Sequence, residues 1–233
     1  MEEKYKLLFA VLQRLQEKSV LNGLVIVGSW CQYYYRILFD DALEIPLIRT
    51  LDIDFLVPNP SKFETSVDVS DLLNALGFDS DFDYSTGLVK YVHPDLEIQF
   101  LTPALGRVKD TPYEIKKLNI NAEGLTYMKM LQDYKFSMTH DGITVWLPEP
   151  EAFCLHKLLI SQKRKNPAKK EKDVMVAKSI GELCLEYENH RDRLKSIYDH
   201  MPKKWQKAVS GILKESSVEM FSFLTPHPAG PAG

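Results

Sequence analysis

The chain of 233 residues is long enough for one large domain or two small ones, and its apolar fraction of 45% is ordinary for a globular protein. A formal net charge of −3 and a pI of about 6.1 exclude a globally basic nucleic-acid binder, but lysines and arginines gather between Lys157 and Lys172 and leave a local anion-binding surface open. No apolar run reaches the roughly 20 residues that span a bilayer, so no membrane partner is expected. The chain has three cysteines, Cys31, Cys154 and Cys184, and their spacing is not that of a metal site. Because one cysteine of an odd number must stay unpaired, a disulfide framework is not expected, and the reducing cytoplasm is the predicted location.

The first part of the chain alternates helix and strand signals. In chain order, the predicted elements are a helix over residues 3–17, a strand over 24–27, a helix over 30–39, a strand over 49–58 and a helix over 67–76. Further strands are predicted over 86–92, 96–101, 116–120, 134–138 and 143–147. Asp141-Gly142 is the predicted hairpin turn between the last two strands.

Strand signals vanish after the proline-rich stretch at 148–150. The predicted helices beyond it cover 151–162, 172–188, 189–199 and 203–215. The pattern predicts an α+β core domain over 1–147 built on a mixed sheet, a helical domain over 148–224 and a disordered tail over 225–233.

Two aspartates share one face of the strand predicted over 49–58. Asp52 and Asp54 are two residues apart, so their side chains project side by side between apolar neighbours. Adjacent carboxylates repel each other, and Mg²⁺, which binds through carboxylates and substrate phosphate oxygens, relieves that repulsion. A solvated strand face is the alternative, and the Asp-x-Asp pattern alone leaves both open.

The apolar strand predicted over 24–27 ends in Gly28-Ser29 and continues directly into a helix. Glycine permits close approach to the backbone, the free N–H groups of a helix start favour a phosphate, and Ser29 can add a hydroxyl. An ordinary tight turn is the alternative. The later strand with Asp52 and Asp54 makes phosphate binding the stronger hypothesis, because the two features would place a phosphate site beside a metal site.

A third carboxylate could complete a two-metal site. In the segment HPDLEIQFLTP, Glu97 and Gln99 share the polar face of a predicted strand. If this strand neighbours the strand of Asp52, Glu97 can reach the first metal. A surface glutamate on a half-exposed strand is the alternative.

Together these features resemble the DNA polymerase beta-like nucleotidyltransferase superfamily. Its signature is an apolar strand ending in Gly-Ser or Gly-Gly, a helix, an acidic-apolar-acidic strand and a later strand acid, which Val27-Gly28-Ser29, Asp52-Ile53-Asp54 and Glu97 match here. The resemblance implies a nucleotidyltransferase-type mixed sheet flanked by helices, with Asp52, Asp54 and Glu97 as catalytic ligands of two Mg²⁺ ions, or of Mn²⁺ instead. The chain departs from the pattern at Gln99, which stands where such families often carry the acid.

The resemblance continues into the predicted helical domain. The segment PEPEAFCLHKLLISQKRKNPAKKEKD looks like the helical half of bacterial nucleotidyltransferases related to abortive-infection toxins, which carry a His-Lys-Leu helix, an Arg and a Lys-Asp pair. Lys157 and Arg164 are seven residues apart, so they are expected to share a helix face and to offer positive charge to a triphosphate. A solvated basic helix is the alternative. The nucleotide-binding candidates are Gly28, Ser29, Thr50, Lys157 and Arg164.

The predicted reaction is Mg²⁺-dependent transfer of a nucleoside monophosphate from an NTP to an acceptor hydroxyl, with release of pyrophosphate. RNA or tRNA, a protein and a small molecule all stay open as the acceptor, and an antitoxin or a second copy of the chain is a candidate partner. The alternative is a catalytically degenerate nucleotide-binding or interaction protein that keeps the transferase fold, and Gln99 favours it.

Overall fold

The computed structural model describes residues 5–46, 51–104, 106 and 111–226. Among these residues the helices are α1 (Lys6–Glu17), α2 (Trp30–Leu38), α3 (Val69–Asn74), α4 (Met128–Asp133), α5 (Pro150–Ser161), α6 (Pro167–Glu186), α7 (Glu188–His200), α8 (Lys203–Ser216) and α9 (Val218–Leu224). The strands are β1 (Val25–Val27), β2 (Asp52–Leu56), β3 (Asp79–Phe82), β4 (Val89–His93), β5 (Leu96–Pro103), β6 (Tyr113–Ile115), β7 (Ile120–Leu125), β8 (Lys135–His140) and β9 (Ile143–Pro148). The predicted α+β class, with a mixed sheet and a helical C-terminal region, is confirmed.

The strands β1 to β7 form one mixed sheet around β5. Its order is β1-β2-β5-β4-β3, and β7 pairs with both β5 and β6. β2 and β5 run parallel, whereas β1 is antiparallel to β2 and β4 is antiparallel to β5. β7 runs parallel to the end of β5, so that β5 has β2 along one edge and both β4 and β7 along the other.

The two faces of β2 differ as its alternating sequence requires. Ile53 and Phe55 are fully buried, whereas Asp52 is exposed and Asp54 is half-buried. Leu56, which follows on the aspartate face, belongs to a buried apolar cluster with Val25, Val27, Leu101, Met128 and Leu131. The two aspartates therefore lie at the margin of an apolar cluster on one face of the sheet.

The last two strands form the predicted hairpin. β8 and β9 pair along their whole length from Lys135–Pro148 to His140–Ile143. Asp141 and Gly142 have φ values of 49° and 75°, and two positive φ values are the requirement of the type I′ turn that Asp-Gly favours.

The described chain divides into two compact units. One holds the residues up to Tyr34 and those from Leu51 to Pro148, and the other holds Tyr35–Pro46 and the residues from Glu149 onward. Tyr35–Pro46 thus belongs to the second unit, although it lies inside the first predicted domain. The predicted domain boundaries themselves stay a prediction. None of the described helices has the length and apolar character needed to cross a membrane.

Two predicted boundaries are wrong for local reasons. Residues 116–118 form a 3-10 helix rather than a strand, and Asn119 follows in the left-handed region at φ 52°, so β7 begins only at Ile120. α6 begins at Pro167 rather than at residue 172, because the Asn166 side chain accepts hydrogen bonds from the amides of Ala168 and Lys169.

Elements missing from the prediction lack a clear periodic signal. β3 is an edge strand that pairs with β4, and all of its residues are exposed, so no alternation of buried and exposed positions marks it. The short helices α4 and α9, of six and seven residues, also escaped prediction. Most of the predicted disordered tail, from residue 227 onward, lies outside the described residues.

Candidate functional site

The register of β2 and β5 brings the predicted acids onto one face. Asp52 lies beside Glu97 and Asp54 lies beside Gln99. Register partners on parallel strands point to the same face, at the spacing of about 4.8 Å between strands. Asp52, Asp54 and Glu97 therefore form one group of three carboxylates, and Gln99 completes the patch.

A lysine from the next strand joins this group. The Lys90 Nζ atom on β4 donates a hydrogen bond to Glu97 Oε1 at 2.5 Å. That hydrogen bond raises the pKa of Lys90 despite its partial burial, and the charges of Glu97, Asp52 and Asp54 act in the same direction. The ammonium group of Lys90 thus offsets part of the negative charge of the three acids.

The Gly28-Ser29 turn lies against Asp54. Val27, the last residue of β1, is in register with Asp54, and Gly28 follows with a φ of 76°. A Cβ atom on Gly28 would lie 2.6 Å from Asp54 Oδ2. Glycine is therefore required both by the backbone conformation and by the approach of the carboxylate.

Ser29 connects this turn to α2. The Ser29 carbonyl accepts a hydrogen bond from the Gln32 amide at 3.1 Å, which makes Ser29 the residue before the first helical turn. Free N–H groups at such a helix start can bind an anion, and the serine hydroxyl is half-buried beside them. Thr50, the other candidate near this strand, lies outside the described residues.

A fourth carboxylate on the same face escaped the sequence analysis. Gln99 Nε2 donates a hydrogen bond to Glu123 Oε2 at 2.7 Å. Glu123 lies on β7 in register with Leu101, so it shares the face of Gln99. The signal was the alternation of apolar Ile120 and Ala122 with polar Asn121 and Glu123, which the predicted strand over 116–120 obscured.

In the second unit, Lys157 and Arg164 both form ion pairs with Asp173. Lys157 Nζ donates to Asp173 Oδ1 and Arg164 Nε donates to Asp173 Oδ2, both at 2.8 Å. Burial alone would raise the pKa of Asp173, but the two cations lower it overall. The expectation of a shared helix face is wrong, because α5 ends at Ser161 and Arg164 lies beyond it.

Comparison with known families identifies the family of this chain. A profile described as a nucleotidyltransferase matches residues 6–202. The chain belongs to this nucleotidyltransferase family. The matched span includes the Gly28-Ser29 turn, the three carboxylates and the Lys157–Asp173–Arg164 group. Membership supports the predicted superfamily and nucleotidyl transfer in general.

A solved structure of a nucleotidyltransferase-like protein shares the fold of this chain. An antigenic nucleotidyltransferase-like protein from Paracoccidioides brasiliensis aligns with a TM-score of 0.51 and 17% identity, over 94% of this chain and 92% of that one. At this identity the likeness concerns the fold alone, and it confirms the nucleotidyltransferase-type fold. A search of curated proteins finds no significant match.

Two further structures align more weakly. ANT(2")-Ia in complex with adenylyl-2"-tobramycin has a TM-score of 0.43 and 16% identity, over 84% of this chain and 99% of that one. A tRNA nucleotidyltransferase complexed with a primer tRNA and an incoming ATP analog has a TM-score of 0.25 and 17% identity, over 93% of this chain and 62% of that one.

Proposed function

We propose that this chain transfers a nucleoside monophosphate from an NTP to an acceptor hydroxyl, with two Mg²⁺ ions held by Asp52, Asp54 and Glu97. The observation that carries the proposal is the group of three carboxylates on one sheet face, with the Gly28 turn against Asp54. Hard oxygen donors of this kind suit Mg²⁺, with Mn²⁺ as a second candidate. Bound ions would stabilise charge on the phosphate and lower the pKa of the acceptor hydroxyl.

In this reaction the acceptor oxygen bonds to the α-phosphorus while the bond from that phosphorus to the pyrophosphate oxygen breaks. Glu97 either holds a metal or accepts the acceptor's proton, since it is held beside Asp52 by register and by Lys90. The turn amides and the Ser29 hydroxyl donate hydrogen bonds to phosphate oxygens. The buried apolar cluster around Leu56 lies next to the aspartates on the same sheet face and would limit the access of water from that side.

Lys157, Arg164 and Thr50 complete the proposed nucleotide-binding set. Both cations share Asp173, so any contact with a triphosphate would use the hydrogen-bond donors that Asp173 leaves available. A guanidinium has five N–H donors, and only one of those on Arg164 is taken by this carboxylate, which makes Arg164 better suited than Lys157 to a second anion.

The aspartates provide the first test. Asp52→Asn and Asp54→Asn should each lower transfer of label from an NTP carrying it at the α-phosphate by at least about 100-fold, since each removes a charge needed at the reacting phosphate. The Mg²⁺-dependent rise in melting temperature caused by an NTP should disappear with them. Asp81→Asn, an exposed aspartate on β3 of the same sheet, is the matched control and should behave as wild type. If no NTP changes the melting temperature of the wild-type protein, the proposal is wrong.

The third carboxylate provides a second test, because both Glu97 and Glu123 lie on the right face. Glu97→Gln should abolish most transfer, by about 100-fold or more, because Glu97 is the acid beside Asp52. Glu123→Gln should keep transfer within a few-fold, since a glutamine can still pair with Gln99. The reverse ranking would assign the third carboxylate to Glu123.

The alternative function, a catalytically degenerate nucleotide-binding or interaction protein, is supported by Gln99. This residue lies beside Asp54 and donates a hydrogen bond to Glu123. Label transfer to a total cell extract separates the two functions and identifies the acceptor class as RNA, protein or small molecule. NTP binding without label on any fraction would favour the alternative. An antitoxin or homodimer partner, a cytoplasmic location and a link to abortive-infection toxins stay predictions.

A further inference from the structure

A second set of metal-binding side chains lies in the helical unit. Glu151 stands in the first turn of α5, Cys184 in the last turns of α6 and His190 in the first turn of α7. One ligand atom of each residue lies within 4.8 Å of the other two. Glu151 Oε1 and His190 Nδ1 are 2.6 Å apart and share a hydrogen bond.

The surroundings of these side chains are those of an enclosed site. Glu151 is 2% exposed and Cys184 is fully buried, whereas His190 is partly open to solvent and offers a path of entry. The rings of Phe39 and Tyr187 pack against the His190 imidazole. Cys184 is not part of a disulfide, so its sulfur can bind an ion.

The donor set selects the class of ion. One thiolate, one imidazole and one carboxylate are ligands that Zn²⁺ accepts in tetrahedral geometry, and three protein ligands leave the fourth position to water. Mg²⁺ avoids such a set because it prefers oxygen. The buried Glu151 carboxylate and a Cys184 thiolate would together neutralise a divalent charge, so the ion would not be left as an uncompensated buried charge.

We propose that Glu151, Cys184 and His190 bind one Zn²⁺-like transition-metal ion. The Glu151–His190 hydrogen bond would open from 2.6 Å to about 3.3 Å, the separation of two ligands with bonds of about 2.0–2.1 Å in a tetrahedron. The proton of that hydrogen bond moves to the other ring nitrogen of His190, and the thiol proton of Cys184 leaves to solvent. The ion ties the junction of α6 and α7 to the start of α5, and this structural role does not depend on the proposed transferase reaction.

Cobalt(II) titration of the reduced full-length protein in excess Mg²⁺ tests the site directly. Wild type should bind one Co²⁺ with a thiolate-to-cobalt charge-transfer band and with d–d bands of tetrahedral intensity, and Zn²⁺ should displace it. The oxygen ligands of the Asp52–Asp54 site cannot produce the thiolate band. His190→Gln should weaken binding by at least about 10-fold, the loss that even outer-shell partners of a metal cause.

The cysteine variants identify the sulfur. Cys184→Ser should remove the charge-transfer band, whereas Cys31→Ser, which changes a buried thiol of the first unit, should keep it. Circular dichroism checks that each variant is folded. A wild-type protein without the thiolate band at saturating Co²⁺ overturns the proposal whatever the variants do, and a band that Cys154→Ser removes while Cys184→Ser retains it also overturns the assignment.

Discussion

At the scale of single residues, the candidate site depends on a glycine. Gly28 has the positive φ of the turn after β1, and its missing side chain leaves room for Asp54 Oδ2. Gly142 has a nearly identical φ of 75°, but apart from Gly142 itself and its two chain neighbours no atom of the described residues lies within 4 Å of where a Cβ would stand. Substituting each of these two glycines of the first unit therefore distinguishes the cost of the left-handed backbone from the cost of crowding the Asp54 carboxylate.

Gly28→Ala and Gly142→Ala should each lower the free energy of unfolding by about 1–2 kcal/mol, the cost of a left-handed backbone for an L-residue. Gly28→Ala should lose further stability and should also lose Mg²⁺-dependent stabilisation by NTP, because the methyl group displaces the Asp54 carboxylate. Urea denaturation and a thermal-shift titration measure both effects. Equal behaviour of the two variants would contradict an essential contact between the turn and Asp54.

At the scale of elements, α5 and α6 are joined by a buried ion triad. The Asp173 side chain on α6 is 5% exposed and accepts hydrogen bonds from Lys157 on α5, 13% exposed, and from Arg164, 40% exposed. Lys157 also lies over the Phe153 ring at 5.4 Å. A carboxylate between two cations satisfies a buried charge that neither helix could hold alone.

Asp173→Asn should destabilise the second unit by about 3 kcal/mol, because Lys157 would keep a buried charge without a counter-ion. This value is at the low end of the stability losses caused by breaking a buried ion pair, because the Arg164 side chain is partly exposed and can turn to solvent. Asp192→Asn, at an aspartate on α7 that is 74% exposed, is the control and should change stability by less than about 0.5 kcal/mol. Denaturant unfolding measures both variants, and a loss for Asp173→Asn as small as that of the control would rule out a structural role for the triad.

At the scale of the whole molecule, a buried histidine links unfolding to pH. His156 is 3% exposed, and neither ring nitrogen has a hydrogen-bond partner among the described residues. Burial lowers the pKa of His156 to about 3, and the nearby Lys157 charge acts in the same direction. The imidazole is therefore neutral in the folded protein, whereas in the unfolded chain it takes up a proton below about pH 6.5.

Lowering the pH from 7 to 5 should therefore cost about 2 kcal/mol of stability through His156, because only the unfolded state gains the proton. The loss continues until the pH reaches the folded-state pKa of about 3. The lowered pKa of Asp173 acts only below about pH 4, so it does not enter this interval. His156→Leu should remove this part of the pH dependence in urea denaturation, and a matched change at the exposed His200, His200→Gln, should leave it intact. An unchanged pH dependence in His156→Leu would show that the histidine takes up its proton as readily in the folded protein as in the unfolded chain.

The sequence supported predictions wherever the signal was local. The alternation around Asp52 and Asp54 marked β2 and its two faces, and the Asp141-Gly142 dipeptide marked the hairpin of β8 and β9, because both patterns follow from backbone geometry over a few residues. Edge strand β3 was missed because all of its residues are exposed and show no alternation. Strand β7 was missed because the strand predicted over 116–120 obscured its alternating pattern. The Asn166-Pro167 pair is a recognisable signal for the start of a helix, but the run of charged residues around it obscured the start of α6.

The sequence by itself determined the α+β class, the Gly-Ser turn and the acidic-apolar-acidic strand, because period-two and helical patterns need no knowledge of distant residues. Only the tertiary structure decided that Glu97 lies beside Asp52, that Glu123 reaches Gln99, and that Gly28 touches Asp54. It also decided that Asp173 joins Lys157 to Arg164 and that Glu151, Cys184 and His190 meet. Each of these contacts joins segments that are distant along the chain, and strand register and helix packing bring them together only after the chain has buried its apolar faces.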